Sequence, residues 1–280
     1  MRTEPILLEL GLDLGKIKQF QDEVLNWYRV HARDLPWRHT QDPYAVIVSE
    51  TMLQQTQVTR VIPRYLAWLE RLPTFEDLAA ASRAEVLALW SGLGYNRRAV
   101  RLHELAGVVL ERHSGVLPTE LGSLLALPGV GRYTAAAILA FAHNRDVGLV
   151  DTNVRRVLLH RLELPPDLPQ STLEALAGAI VPPGHSRDWY NALMDLGATV
   201  LTATETGVRA RSRQSAFSGS SRWVRGQLVR RLVAGEILSV AELQAEYQRA
   251  DLPLLLDALQ TEGLLDRDGE YLHLPGRVRP

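Results

Sequence analysis

The sequence predicts an all-helical body followed by a small mixed unit, and three observations carry that reading. Apolar residues recur at helical spacing over most of the 280 residues. No convincing two-residue alternation occurs before residue 263. Glycine and proline fall between the periodic stretches, where helices need to stop. At 46% hydrophobic residues the chain can bury a sizeable core, enough for two domains or for one large helical domain with an appendage.

The elements follow in order. Asp42-Pro43 opens a helix over the apolar run that contains Glu50. Thr74 stands three residues before Asp77 and Ser82 three before Glu85, the spacing at which a hydroxyl caps the first turn of a helix. Asp151 precedes the apolar series Val154, Val157, Leu158 and Leu162, so it starts another. Gly92, Gly94, Gly129, Gly131 and Pro165-Pro166 are the stops. The stretch from Thr204 to Ser221, rich in Ser, Thr, Arg and Gly, reads as a linker or surface loop. Beyond it, a helix is expected over 222–234, a second capped by Ser239 and running to Tyr247, and a third capped by Asp251 with Pro253 in its first turn. Asp268-Gly269 is a turn signal for a hairpin ending at Leu274. Three helices and a hairpin resemble a winged-helix module. Its third helix carries Asp257 and Glu262 but no base, which favours packing or a protein contact over DNA reading.

Composition narrows the function classes. The chain has no cysteine, which excludes disulfides, thiolate metal sites and cysteine-held iron-sulfur clusters. No apolar run is long enough to span a bilayer, and the stretch 5–10 is too short and too acidic for a signal peptide, so a cytoplasmic protein is expected. The net charge is only -1, yet it is unevenly spread. Seven arginines and no acid lie between Thr206 and Gly235, leaving a clear acidic excess elsewhere. Lys16 and Lys18 are the only lysines.

Glu50 is the only carboxylate between Asp42 and Glu70, and its neighbours are nearly all apolar or uncharged. A carboxyl in such company should hold its proton more tightly than a surface glutamate, the profile of a general acid. The bland alternative is a solvent-facing glutamate on an amphipathic helix. Leu127-Pro-Gly-Val-Gly131, followed by Arg132-Tyr-Thr-Ala-Ala-Ala-Ile138, joins two apolar stretches through a glycine hairpin. It is either a plain turn between helices or a place where backbone N–H groups approach a phosphate closely. Twenty residues past Gly131 comes Asp151, a helix cap that can also present an ionised carboxylate to a developing sugar cation, kept charged by the helix dipole.

Leu127 to Ile138 together with Asp151 resembles the helix-hairpin-helix glycosylase superfamily, which includes endonuclease III. Leu35-Pro-Trp-Arg38, Asp42-Pro-Tyr44, Ser49-Glu-Thr-Met-Leu-Gln-Gln-Thr-Gln-Val58, Gly92-Leu-Gly-Tyr95 and Asp151-Thr-Asn-Val-Arg-Arg-Val157 are similar to the MutY-type adenine-DNA glycosylases. The likeness covers roughly residues 20 to 202. It implies a helix-hairpin-helix glycosylase fold of two helical subdomains over residues 1–203, with the motif at 124–138. The Arg-rich loop 204–221 and the winged-helix-like unit 222–280 then follow.

The resemblance assigns roles. Glu50 would protonate the adenine leaving group and Asp151 would stabilise the oxocarbenium-like state, as in the two-carboxylate logic of glycoside hydrolysis. Asn153 would position sugar or water, or serve only as a second capping residue. Gln54 and Tyr95 match residues that wedge into the duplex and hold the target base flipped out. Tyr133 stands where strand-nicking relatives carry a Schiff-base lysine, which implies an intact strand bearing an abasic site. The DNA-binding set is expected to comprise Arg38, Gln54, Gln55, Tyr95, Leu127, Gly129, Val130, Gly131, Arg132, Thr134, Arg209, Arg211 and Arg213. The expected partner is double-stranded DNA with a mispaired or damaged base, bound by a monomer without a cofactor, save a monovalent cation at the hairpin.

Two departures stand out. Most relatives carry four cysteines just past the region matching 191–198, where this chain has Leu201-Thr-Ala-Thr204 and the arginine-rich loop. Arg209, Arg211 and Arg213 are expected to supply the backbone contacts a cluster loop would organise. The C-terminal unit is also too short and too helical for the domain by which MutY relatives recognise 8-oxoguanine. The competing readings are removal of thymine or uracil mispaired with guanine, and a non-catalytic lesion binder, against which both carboxylates argue.

Overall fold

The computed structural model describes residues 4–209 and 217–276. In chain order the helices are α1 (Glu4–Glu9), α2 (Leu14–His31), α3 (Pro43–Leu53), α4 (Val58–Arg71), α5 (Phe75–Ala80), α6 (Arg83–Trp90), α7 (Arg97–His113), α8 (Leu121–Leu125), α9 (Arg132–Phe141), α10 (Thr152–Arg161), α11 (Gln170–Ala179), α12 (Ser186–Thr199), α13 (Ala203–Thr206), α14 (Ser221–Val233), α15 (Val240–Tyr247) and α16 (Leu252–Thr261). Three short strands are β1 (Leu238–Ser239), β2 (Asp266–Asp268) and β3 (Tyr271–His273). The predicted helix starts are where the side chains place them. Thr74 accepts from the Asp77 N–H at 3.1 Å, Ser82 from Glu85 at 3.2 Å and Asp151 from Val154 at 2.7 Å.

The chain divides into two units. The first contains residues 1–47, 119–126 and 130–213. Its core gathers Phe20 and Val24 of α2, Ala137 of α9, Val154 and Leu158 of α10, and Trp189 and Leu193 of α12, all buried. Phe20 meets Trp189 edge to face, with ring centroids 5.4 Å apart. Burying each large apolar side chain here stabilises the fold by about 1.5–3 kcal/mol. Helix α12 comes so close to α10 that a Cβ on Gly197 would lie 2.8 Å from the Cβ of Asn153. Only glycine permits that approach.

The second unit contains residues 48–118, 127–129 and 214–280. Trp68 of α4 and Trp90 of α6 pack edge to face at 5.6 Å inside it, with α5 lying along α7. The C-terminal helices belong to this unit too, and α14 rests on α6. Arg83 donates to the carbonyl of Gly263 at 3.4 Å. The small sheet has the order β1-β3-β2, antiparallel throughout, with Leu238 and Arg267 both opposite Leu272.

Two expectations change, and the C-terminal unit has one strand besides the hairpin: β1 is two residues long, too short to show any alternation. The expected linker begins with a helical turn, α13, capped by Thr202. Asp251 occupies the start of α16 without capping it, because its carboxylate takes two hydrogen bonds from Arg249, both at 2.8 Å, and one from Ser221 at 3.2 Å. A guanidinium outcompetes a backbone N–H for the same oxygens.

Candidate active site

Glu50 lies on a helix with no solvent-facing stripe around it. Every residue from Tyr44 to Glu50 is buried, and Glu50 itself is 6% exposed. The solvent-facing alternative is thereby set aside. A carboxyl so enclosed is tolerated only with a hydrogen-bonding or charged partner.

Just beyond, α3 ends in a turn at Gln54-Gln55, and Gln55 adopts φ +54°, a left-handed conformation that a side chain opposes. In the same unit the loop after α6 passes through Gly92 and Gly94, both at positive φ, and then Tyr95 at φ +49°. One guanidinium holds both turns. Arg98 donates to the carbonyls of Thr51 and Gln54 at 2.7 Å each, to Gly94 at 3.0 Å, and to the hydroxyl of Thr56 at 3.1 Å. It also lies over the rings of Trp90 and Tyr95, at 5.3 and 5.4 Å. Burial lowers its pKa to about 10, which leaves it charged at neutral pH. The strained positions of Gln55 and Tyr95 are therefore imposed by a fixed positive clamp. Gln54 is half-buried, Gln55 is exposed and Tyr95 is 40% exposed. The Tyr95 hydroxyl accepts a hydrogen bond from Arg222 at 2.9 Å.

In the first unit, Asp151 caps α10 and also accepts from the side-chain amide of Asn153 at 3.0 Å. The Asn153 carbonyl in turn accepts from Arg156 at 3.1 Å, and Arg156 donates to the Gly197 carbonyl at 2.7 Å. Asn153 thus relays a buried guanidinium to the carboxylate and has more than a capping role. One edge of Asp151 is open to solvent, yet desolvation of its carboxyl dominates and raises the pKa above 3.8. The Val154 and Asn153 bonds and the Arg156 charge pull the other way without prevailing.

The segment leading to Asp151 is held from outside its own sequence. Gly148 passes so near α11 that a Cβ would sit 2.1 Å from the Glu174 carbonyl oxygen. The hydroxyl of Tyr190 accepts from the Leu149 N–H at 3.2 Å and lies 2.5 Å from the Val147 carbonyl. Tyr133 is half-buried against the same core, and Thr134 is buried beside it.

The two hairpin glycines differ in what they do. Gly129 needs to be glycine: φ is +76° and a Cβ would stand 2.9 Å from that of Arg101. Gly131 has φ -94°, and a Cβ there would meet nothing within 4 Å. It opens α9 with no side-chain cap. Leu127 and Val130 are buried and anchor the loop, while Arg132 projects into solvent and faces Glu174 at 3.8 Å.

The arginines separate. Arg38 is not available to DNA: its side chain is 8% exposed and donates to both carboxylate oxygens of the fully buried Asp195, at 2.6 and 2.7 Å. Arg33 completes that ion cluster. A charge this deep is stable only with such partners, and its role is structural. The carbonyl of exposed Arg209 accepts from Arg155 at 3.4 Å, while the neighbouring Val208 carbonyl accepts from Arg156 at 3.3 Å. Arg211 and Arg213 lie outside the described residues.

The family model for HhH-GPD superfamily base excision DNA repair proteins matches residues 48–183. An adenine DNA glycosylase of Mycolicibacterium smegmatis is 40% identical over 279 residues, covering 89% of this chain and 94% of that protein. The chain belongs to the HhH-GPD superfamily and, within it, to the adenine DNA glycosylases.

The adenine DNA glycosylase of Homo sapiens is 45% identical over 204 residues, 68% of this chain and 37% of the human protein. Among solved structures, a thermostable thymine-DNA glycosylase superposes with a TM-score of 0.64 and 32% identity over 69% of this chain and 90% of its own. A trapped endonuclease III–DNA intermediate shares the fold, with a TM-score of 0.61 at 21% identity, over 72% of this chain and 91% of its own. This member of the adenine DNA glycosylases has no cysteine in its sequence. The segment after α13 is tied back to α10 by Arg155 and Arg156.

Proposed function

We propose that this chain hydrolyses the N-glycosidic bond of adenine mispaired with guanine or 8-oxoguanine in double-stranded DNA and leaves an abasic site on an intact strand. The burial of Glu50 on α3 carries the reading, because it places a carboxyl where water is largely excluded. Glu50 gives its proton to the extruded adenine. The electron pair of the C1'–N9 bond departs with the base, and positive charge builds on the sugar. Asp151 faces that charge as an anion. Its desolvated carboxylate gains more from a neighbouring cation than a hydrated one would, which concentrates its effect in the transition state. Asn153, fixed by Arg156, orients the sugar or the incoming water. Water then adds at C1' and loses a proton, which restores the Glu50 carboxyl.

Tyr133 cannot form a Schiff base, and the only lysines are Lys16 and Lys18, so water rather than an amine takes C1' and the strand is not nicked. Gln54 and Tyr95 stand at two clamped turns of one unit and wedge into the duplex, which lets the adenine leave the stack. The helix start that follows Gly131 takes a phosphate, and the exposed Arg132 adds charge nearby. The expected salt-dependent grip of Arg209, Arg211 and Arg213 belongs to this reading as well.

Likeness to a thymine-DNA glycosylase structure supports a second target, thymine opposite guanine. Incubation with A:8-oxoG, A:G, T:G and U:G duplexes, followed by hot alkali, separates the two. Breaks in the adenine strand only, and only after alkali, are the predicted outcome. Nicks before alkali would refute the Tyr133 argument, and breaks confined to T:G or U:G would replace adenine as the target.

A further inference from the structure

The C-terminal helices sit in the same unit as the wedge turns, and one of their side chains reaches Tyr95 across 127 positions of sequence. Arg222, in the first turn of α14, donates to the Tyr95 hydroxyl at 2.9 Å and lies over the exposed ring of Phe217 at 5.9 Å. The base of that arm is rigid. Ser220 caps α14, the Arg249 guanidinium donates to the Gly219 carbonyl at 2.6 Å and to the Ser221 hydroxyl at 2.9 Å, and Ser221 in turn donates to Asp251. Contact of α14 with α6 fastens the helix, and the Arg83–Gly263 bond fastens the turn after α16. Tyr95 is thus held twice: Arg98 fixes the backbone of its turn, and Arg222 fixes the far end of its ring. A half-exposed aromatic ring in a left-handed backbone conformation has no packing reason for such restraint.

We propose that the C-terminal unit is a working part of the base-extrusion device, with Arg222 as a positioning residue that holds the Tyr95 ring in its wedging orientation. The inference rests on the glycosylase reading and deepens it. Pre-setting the ring removes the need to freeze its rotation while the duplex opens, so the benefit falls on extrusion and leaves bond cleavage unchanged. A charge-assisted hydrogen bond of this kind changes an equilibrium by about tenfold.

The test uses the full chain and an A:8-oxoG duplex carrying 2-aminopurine beside the adenine, so that unstacking is read as fluorescence and cleavage as single-turnover adenine release. Arg222→Ala and Tyr95→Phe should each slow both signals by about tenfold, with duplex affinity within about threefold of wild type. The double variant should be no slower than the slower single one, and Arg222→Lys should recover part of the loss. Tyr95→Phe removes a single oxygen and keeps the ring, so it stays informative even if Arg222→Ala unfolds. Arg230→Ala, an exposed charge removed from the same helix, is the control. Additive losses, an equal loss in Arg230→Ala, or wild-type rates in Tyr95→Phe would overturn the proposal. If wild-type protein releases no adenine, it is the glycosylase reading that falls.

Discussion

At the scale of single residues, Asp151 sits between opposed demands. Burial raises its pKa above 3.8, while Val154, Asn153 and Arg156 favour the anion. A carboxyl whose folded pKa is raised weakens the fold once pH exceeds the ordinary aspartate range, and the penalty is complete above the folded pKa. Replacing it with asparagine keeps a capping side chain and removes the charge. Asp151→Asn should therefore unfold at a higher temperature than wild type at pH 7, lose that advantage toward pH 3, and release adenine at least about a hundredfold more slowly. Calorimetry across pH, alongside single-turnover assays, checks both. The same shift places the acid limb of the rate profile above the range of a free aspartate, because the proposed role needs the anion. A limb at or below pH 3.8 would contradict the raised pKa, and a rate that does not fall with acid would contradict the role.

Among the elements, the clamped turns are the most exposed to a single change. Arg98 ties the end of α3 to the loop before α7, and no shorter side chain spans those carbonyls. Arg98→Ala should cost about 3 kcal/mol of stability and about a hundredfold in rate, read from denaturant unfolding and single-turnover release. Normal stability with normal rate would show that the turns hold themselves. The same contrast explains what the sequence reveals. Helix starts at Thr74, Ser82 and Asp151 are legible because cap and acceptor lie within three residues. Glu50 stands out because its neighbours are nearly all apolar or uncharged. By contrast, Arg98 meets Gln54 over 44 positions, Tyr190 meets Leu149 over 41, and Arg222 meets Tyr95 over 127. No local pattern encodes such partners. Arg38 misleads for the same reason: an arginine in a family motif looks free to bind DNA until Asp195, 157 residues away, is seen to hold it.

For the molecule as a whole, composition understates the charge available to a polyanion. The net charge is -1, yet the basic stretch between Thr206 and Gly235 is free of acids. Some of its arginines are internally committed: Arg225 pairs with Glu262, and Arg231 with Glu236 and Glu246. Removing Arg209, Arg211 and Arg213 together should lower the slope of log affinity against log salt by about 0.9 for each phosphate that is no longer neutralised. An unchanged slope would assign the grip to the hairpin alone. The central claim is that a buried glutamic acid delivers the proton that releases the purine. Single-turnover adenine release from an A:8-oxoG duplex, measured for wild type and Glu50→Gln with duplex affinity in parallel, tests it most directly. The account predicts no detectable product from Glu50→Gln, with affinity within about tenfold of wild type. Adenine release by Glu50→Gln at a rate near that of wild type would contradict it.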